Sequence, residues 1–214
     1  MRKFALFLVA NALCFTGVPM HASTILYENF DELATKLSAT SAGAFTAING
    51  TNVDIVGGGN FGYLCVAPES GNCVDLGGSN GNPYGQLQSG PIALGAGTVY
   101  LSFDLIGNQR RWPDTTTDVT LGPAGGPYLY SNSITLASGD LSSGIVTGFP
   151  ITLTSPETVY LEFNYLNTPG TNGDVGALLD NVEITTPEPS GLLLLGSGLA
   201  ALAGGLWKRR KVGA

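Results

Sequence analysis

The sequence predicts an all-β protein whose main body folds as an antiparallel β-sandwich. Short apolar runs alternate with clusters of Gly, Asn, Pro and Ser at turn spacing along most of its 214 residues. In the run from Val99 to Ile106 the apolar side chains fall on every second residue, which predicts a strand with one buried face. No run in the body is long enough for the crossover helix of a parallel sheet. Two antiparallel sheets packed face to face are therefore expected.

The N-terminus predicts a secretory signal helix that is removed. Arg2 and Lys3 precede a mostly apolar run at 4–18, and a small-residue cleavage site follows, with Ala22 or Ser23 last. A membrane anchor would be longer. We therefore expect residues 1–22 to direct export and then to leave.

The C-terminus predicts a transmembrane helix. An uncharged apolar run, Gly191–Trp207, is followed by the basic block Lys208-Arg209-Arg210-Lys211. About 18 uncharged residues can just span a hydrocarbon core as a helix, and a basic block after the span stays on the cytoplasmic side. The alternative is a buried core helix, but such a helix would not end in four basic residues.

The tripeptide before this helix completes a recognisable signal. Pro187, Glu188 and Pro189, then the apolar helix and the basic block, resemble the PEP-CTERM sorting signal of Gram-negative bacteria. The resemblance implies that a membrane-embedded enzyme, exosortase, recognises the tripeptide and removes the tail, so these residues belong to a substrate. It also implies a bacterium that makes extracellular polysaccharide. The expected division is a signal peptide at 1–22, a body at 23–186 and a sorting signal at 187–211.

The charge of the body limits its partners. Of the 9 Lys and Arg residues, two lie in the signal and four in the tail, which leaves Lys36, Arg110 and Arg111 in the body. They stand against 15 acidic residues, so the body carries a net charge near −12. Such a surface repels nucleic acid. It suits a secreted protein that meets cations or neutral sugars.

The cysteines and the histidine further limit the kinds of metal binding and catalysis that the body could perform. Cys14 and His21 leave with the signal, so Cys65 and Cys73 remain as a pair. Outside the cytoplasm such a pair predicts a disulfide. Two cysteines without histidine make a poor zinc site, and their spacing is not that of a Cys-x-x-Cys redox motif. A body without histidine also has no His-activated nucleophile and no His proton shuttle.

Two segments of the body repeat a pattern. Thr98–Asp104 and Thr158–Asn164 are similar, and each follows an apolar strand and a short turn. We interpret them as the same hairpin used twice, as two facing sheets could require.

A second, shorter resemblance concerns the body. The string Leu179-Asp180-Asn181-Val182, after an alternating strand such as 100–105, resembles jelly-roll carbohydrate-binding modules. The resemblance implies neighbouring first and last strands joined by a structural calcium ion. Calcium prefers six to eight oxygen ligands, which Glu28, Asp31 and Asp180 could supply in part. Alternatively, Asp180 and Asn181 only hydrogen-bond the backbone.

The clearest candidate for ligand binding is the loop Arg110-Arg111-Trp112. It holds two of the three basic residues of the body and its only tryptophan. Sugars stack on aromatic rings and hydrogen-bond to polar side chains, so this loop predicts glycan contact, with Tyr84 and the tyrosines at 63, 128 and 130 as further candidates. Alternatively, Trp112 caps the edge of the core with an arginine stacked on it.

The sequence thus favours an exported, non-catalytic protein of the cell surface or matrix, associated with extracellular polysaccharide. Its expected partners are exosortase, the glycan and, before processing, the membrane. A purely structural or adhesive protein is the alternative. A glycoside-active enzyme would need two acids across a cleft, and the sequence selects no such pair among the 15.

Overall fold

A computed structural model describes residues 22–58, 61, 63–66, 71–80, 84–110, 113–166 and 174–187. Ser23–Pro187 forms one compact unit. The predicted signal helix and the apolar segment 191–207 lie outside the described residues. Within the described ranges, no helix is long and apolar enough to cross a membrane.

The described chain consists of strands joined by turns and loops. In chain order the fourteen strands are β1 (Thr24–Glu28), β2 (Lys36–Ala39), β3 (Ser41–Ala42), β4 (Phe45–Ala47), β5 (Val53–Val56), β6 (Cys73–Asp75), β7 (Gln86–Ser89), β8 (Ile92–Leu94), β9 (Gly97–Ile106), β10 (Thr115–Gly122), β11 (Tyr130–Leu136), β12 (Val146–Leu153), β13 (Glu157–Leu166) and β14 (Leu178–Thr185).

The strands form two sheets of seven. The first has the order β12-β9-β14-β6-β5-β2, with β1 also paired to β14, and the second has the order β11-β10-β13-β7-β4-β3, with β8 also paired to β13. The pairs between these strands are antiparallel. The predicted all-β, antiparallel architecture is confirmed.

The core lies between the two sheets and follows from the alternation in the long strands. In β9 the buried side chains are those at 99, 101, 103 and 105, as the sequence pattern predicts. Phe103 of β9 meets Phe163 of β13 edge to face, with ring centroids 5.3 Å apart. Because β9 and β13 belong to different sheets, this contact joins the two layers through apolar burial.

The two similar segments occupy corresponding places in the two sheets, but they do not form hairpins. The predicted hairpins would pair β8 with β9 and β12 with β13. In the structure β9 belongs to the first sheet and β13 to the second. Strand β8 pairs instead with β13, and β12 pairs with β9. The hairpin interpretation was therefore wrong. Residues 95–96 and 154–156 carry the chain from one sheet to the other, so that consecutive strands face each other across the core and bury apolar side chains from both sides.

The first and last strands are neighbours, as the resemblance implied. Thr24 lies opposite Thr185 and Glu28 lies opposite Val182. Strand β14 is also bound by β9 and β6, where Leu178 lies opposite Ile106 and Asp75. The loop after Ile106 is therefore at the end of the sheet opposite to Thr185, where the chain enters and leaves the body.

Candidate functional site

Residues 61 and 63–66, which we call the disulfide loop because Cys65 is bonded to Cys73, cover part of the outer face of the first sheet. Cys65 and Cys73 are bonded, with their Cα atoms 5.8 Å apart, which confirms the predicted pairing. Beneath the loop lies a second apolar cluster, separate from the main core, formed by Val56, Leu64, Cys73, Ile106 and Leu178. The loop therefore shields part of the outer face of the first sheet from water, at the end of the sheet opposite to the chain termini.

Removing the disulfide should destabilise the body by about 2–3 kcal/mol, because the bond restricts the unfolded chain over a short loop. The measurement is urea unfolding of the body carrying Cys65→Ala/Cys73→Ala, and the matched control is the parent body in reductant, which loses the bond but keeps both side chains. An unchanged midpoint in the double variant would contradict the structural role of the bond.

The same loop presents two aromatic side chains to solvent. Phe61 is 43% exposed and Tyr63 is 63% exposed, and their rings meet edge to face with centroids 6.3 Å apart. Phe61 has a φ of +59°, an uncommon conformation for a bulky residue. Such backbone strain persists only where surrounding contacts hold it, and it often marks binding sites.

Arg110 lies beside this aromatic pair and is held in one orientation. Its guanidinium carbon is 5.9 Å from the centre of the Phe61 ring. The backbone N–H of Arg110 donates to Asn108 Oδ1 at 3.2 Å, and the Asn108 side chain donates in turn to the Pro113 carbonyl at 3.1 Å. Nη1 of Arg110 donates to the Asp174 carbonyl. These bonds fix the guanidinium between the disulfide loop and the segment before β14.

The second anchor of Arg110 is the buried carboxylate of Asp75. Arg110 Nη2 is 2.9 Å from Asp75 Oδ2, and the backbone N–H groups of Gly77 and Gly176 donate to Oδ1 at 2.9 and 2.8 Å. Burial nevertheless raises the pKa of Asp75 from 3.8 to about 7, against the lowering effects of Arg110 and the two N–H groups. The position of Gly176 requires glycine, since a Cβ atom there would lie 2.1 Å from the Gly77 nitrogen.

A second buried acid lies opposite Asp75. Asp54 of β5 pairs with Asp75 of β6, so the two side chains share the outer face of the sheet. Asp54 is satisfied separately: Ser38 N–H donates to Oδ1 at 2.7 Å, Ser79 N–H donates to the same oxygen at 3.2 Å, and the Ser79 hydroxyl donates to Oδ2. The Asp54 charge raises the pKa of Asp75 further. Arg110 therefore places a positive charge next to two neighbouring buried acids.

The predicted glycan-binding residues divide into three groups. Arg110 belongs to the site just described, whereas Arg111 and Trp112 lie outside the described residues. Tyr84 is partly buried, and its ring packs on Tyr165 with centroids 5.7 Å apart. Tyr84 therefore contributes to the packing of the main core, and its contact with a glycan stays a prediction.

Sequence reasoning missed two residues of this site, Phe61 and Asp75. A signal existed for Asp75, because an acid between Val74 and Leu76 interrupts an apolar run, and buried acids are normally paired. Nothing in the local sequence indicated that Arg110 would be its partner. That pairing depends on β6 and β14 lying side by side.

The predicted calcium ligands are occupied by protein hydrogen bonds. The two carboxylate oxygens of Glu28 accept the N–H groups of Phe30 and Ala44, at 3.1 and 2.8 Å. Asp31 Oδ1 accepts the N–H of Asn72 at 3.0 Å, and Asp180 Oδ1 accepts that of Asn181 at 2.7 Å. Among the described residues, no three His, Cys, Asp or Glu side chains come together as a metal site. These three residues therefore do not fit a shared calcium ion, and calcium binding stays a prediction.

The string around Asp180 has a structural role that the alternative interpretation anticipated. Asn181 has a φ of +50°, and the pairing of β14 with β9 shifts register between Asp180 and Glu183. The side chain of Asn181 donates to Asp104 Oδ2 at 2.9 Å. This bulge brings Leu179 and Val182 to the same, core-facing side of the strand.

Of the predicted sorting tripeptide, Pro187 is described and the other two residues are not. The PEP-CTERM protein-sorting motif matches residues 185–211. The chain therefore carries this sorting motif, which indicates an exported protein that its C-terminal region anchors transiently at the membrane. No curated protein matches the sequence significantly.

Comparison with solved structures finds similar β proteins at low identity. The chain resembles the tandem CBM22-1-CBM22-2 domain of Paenibacillus barcinonensis Xyn10C at 12% identity and a TM-score of 0.48, covering 77% of this chain and 46% of that one. It resembles the K3 cleaved adhesin domain of Lys-gingipain from Porphyromonas gingivalis at 17% identity and a TM-score of 0.46, covering 77% and 100%. It also resembles the arabinose-bound MgGH51 α-L-arabinofuranosidase at 12% identity and a TM-score of 0.45, covering 78% and 27%.

Proposed function

We propose that this exported chain, with its PEP-CTERM sorting motif, is a non-catalytic surface or matrix protein that binds extracellular polysaccharide. The observation that carries the proposal is the fixed guanidinium of Arg110 beside the exposed rings of Phe61 and Tyr63. Exosortase is the proposed processing partner. The polysaccharide is the proposed ligand at the opposite end of the body.

The chemistry of the site suits a neutral or weakly cationic sugar. An exposed ring offers its face to the C–H groups of a sugar, and exposed aromatic area next to fixed polar groups is typical of ligand sites. Guanidinium carries five N–H donors, and Asp75 and Asp174 each accept from a different Nη atom of Arg110. Among the described residues these contacts use two of the five donors, and in the proposed complex the others donate to sugar hydroxyls. Trp112, two residues further along, is a candidate third ring.

The same geometry supports binding rather than hydrolysis. A glycosidase needs two carboxyl groups that reach the substrate across an open cleft. Asp54 and Asp75 face each other, but they are only 2% and 1% exposed. Both are engaged by backbone N–H groups and, for Asp75, by Arg110, so neither carboxyl group is presented to a substrate.

Replacing Tyr63 by Ala should weaken polysaccharide binding about tenfold, because one stacked ring contributes about 1.4 kcal/mol. The assay is saturable binding of the body 23–186 to polysaccharide from the producing cell. Phe61→Ala and Trp112→Ala are tested in parallel. The matched control is Tyr27→Ala, since Tyr27 is 57% exposed but lies on β1 opposite Glu183, away from the Arg110 loop.

Parallel arms with calcium and with chelator test the predicted metal. Binding that is saturable and falls in the Tyr63 variant but not in the Tyr27 variant supports the proposal. Equal binding by both variants would place the ligand elsewhere. Absence of binding by the parent protein would favour the purely structural alternative. Binding that is lost only in chelator would indicate that calcium is required for it.

A further inference from the structure

The two ends of the folded body are joined directly to each other. The N–H of Thr186 donates to the carbonyl of Ser23 at 2.9 Å, and the N–H of Ser23 donates to the Thr186 hydroxyl at 3.1 Å. Thr24 and Thr185 form the next pair along β1 and β14. We call these four residues the terminal clasp. The predicted signal peptide, residues 1–22, borders one side of the clasp, and the sorting tripeptide borders the other.

The strand that ends in the clasp is firmly embedded in the body. Strand β14 has neighbours on both sides, with β9 along one edge and β1 and β6 along the other. Val182 and Ile184 are fully buried in the core. Peeling β14 back beyond Thr185 would expose Ile184 and break sheet hydrogen bonds, so the chain can open without unfolding only at the clasp itself.

Little chain is left between the clasp and the apolar segment. Four residues, 187–190, separate Thr186 from Gly191, and they span at most about 14 Å when fully extended. An enzyme that binds an extended peptide recognises its backbone N–H and C=O groups. In the closed clasp the N–H of Thr186 is already used, so the folded body offers almost no free backbone before Pro187.

We propose that the terminal clasp gates removal of the sorting tail. With the clasp closed, Thr185 is held against β1 and Thr186 against Ser23, so their backbone is not available to the sorting enzyme. Processing therefore requires the clasp to open. It breaks one peptide bond beyond Thr186: a nucleophile of the sorting enzyme bonds to the carbonyl carbon, the tail leaves as an amine, and water or an amine acceptor then displaces the enzyme from the body. Strand β14 remains complete in the processed protein.

The first test lengthens the chain next to the clasp. Inserting Gly-Ser-Gly-Ser between Thr186 and Pro187 of the full chain should speed tail removal roughly 25-fold, because access would no longer require the two clasp hydrogen bonds to break, each of which contributes about a factor of five. The rate is followed by pulse-chase in the producing cell. The matched control places the same four residues between Ala124 and Gly125, in an exposed turn.

The second test closes the clasp covalently. Thr24→Cys with Thr185→Cys places a cysteine pair across β1 and β14, and the oxidised double variant should be processed at least fivefold more slowly than either single variant. Acceleration by the spacer together with slowing by the crosslink supports the proposal. Equal rates for the parent and the spacer variant would overturn it, and so would slower processing of the spacer variant.

Discussion

Replacing Arg110 by Met should lower the free energy of unfolding by about 3–5 kcal/mol at pH 8, because it leaves a buried carboxylate without its cation. Asp75 is 1% exposed, and its Oδ2 atom is 2.9 Å from Arg110 Nη2. The two backbone N–H groups that remain are held to Oδ1, so Oδ2 would lose its charged partner. Methionine keeps the unbranched apolar stem, which isolates the effect of the charge.

The measurement is urea unfolding of the body at pH 8, with Lys36→Met as the matched control. Lys36 is exposed at the edge strand β2, so its replacement removes one positive charge and should change stability by no more than about 0.5 kcal/mol. Adding Asp75→Asn to the Arg110 variant should restore most of the loss, because the buried charge is then gone. If Arg110→Met lowers the free energy of unfolding by less than about 1 kcal/mol, then water or another cation stabilises the Asp75 carboxylate in its place.

The second large effect is a fall in stability as the pH rises from about 4 to 7. The pKa of Asp75 is about 7 in the folded state, against an ordinary value of 3.8, and burial is the main cause. Between these two values the folded protein binds more protons than the unfolded chain, so this carboxyl group contributes stability that is present below pH 3.8 and is lost as the pH rises through 7. The slope from this group is at most about 1.4 kcal/mol per pH unit.

Asp75→Asn isolates this contribution from that of the other acids. The difference in free energy of unfolding between the parent and Asp75→Asn should change steadily from pH 4 to pH 7 and level off above pH 8. The matched control is Asp118→Asn, whose carboxyl group is partly exposed on β10. Parallel stability curves for the parent and Asp75→Asn would mean that Asp75 is ionised in the folded protein throughout this range.

These two predictions and the glycan assay concern one place in the molecule, but they report different properties. Arg110 contacts Phe61 of the disulfide loop, Asp75 and Asp174, so replacing Arg110 or Asp75 is expected to change both stability and ligand binding. Tyr63 is exposed, so its replacement is expected to change ligand binding alone. Comparing the three variants therefore separates loss of the ligand surface from loss of the fold that supports it.

Much of the fold could be predicted from local pattern. Alternating apolar residues in the run at 99–106 predicted a strand with one buried face, and the cysteine count predicted the bond between Cys65 and Cys73, because both properties depend on short stretches of chain. The sorting motif is likewise a linear signal, since it is contained in one contiguous stretch, residues 185–211.

The pairing of strands could not be predicted from local sequence pattern. The similar segments that begin at Thr98 and Thr158 were expected to form hairpins with the strands before them, but those strands cross to the facing sheet. A short connection between two apolar strands has the same local sequence signature in both arrangements. Which arrangement forms depends on how completely all the strands together bury their apolar faces, and that is a property of the whole body.

The sequence by itself determined the export signals, the antiparallel class of the fold, the disulfide and the strongly acidic body with Arg110 as one of its few cations. Only the tertiary structure decided what Arg110 does. Asp75 and Phe61 lie 35 and 49 residues before it in the chain, and they meet it because β6 and β9 are both bound to β14 and because the disulfide loop folds back over them. The physical reason is that a buried ion pair forms where several strands exclude water together, and no local pattern in the sequence records which strands these are.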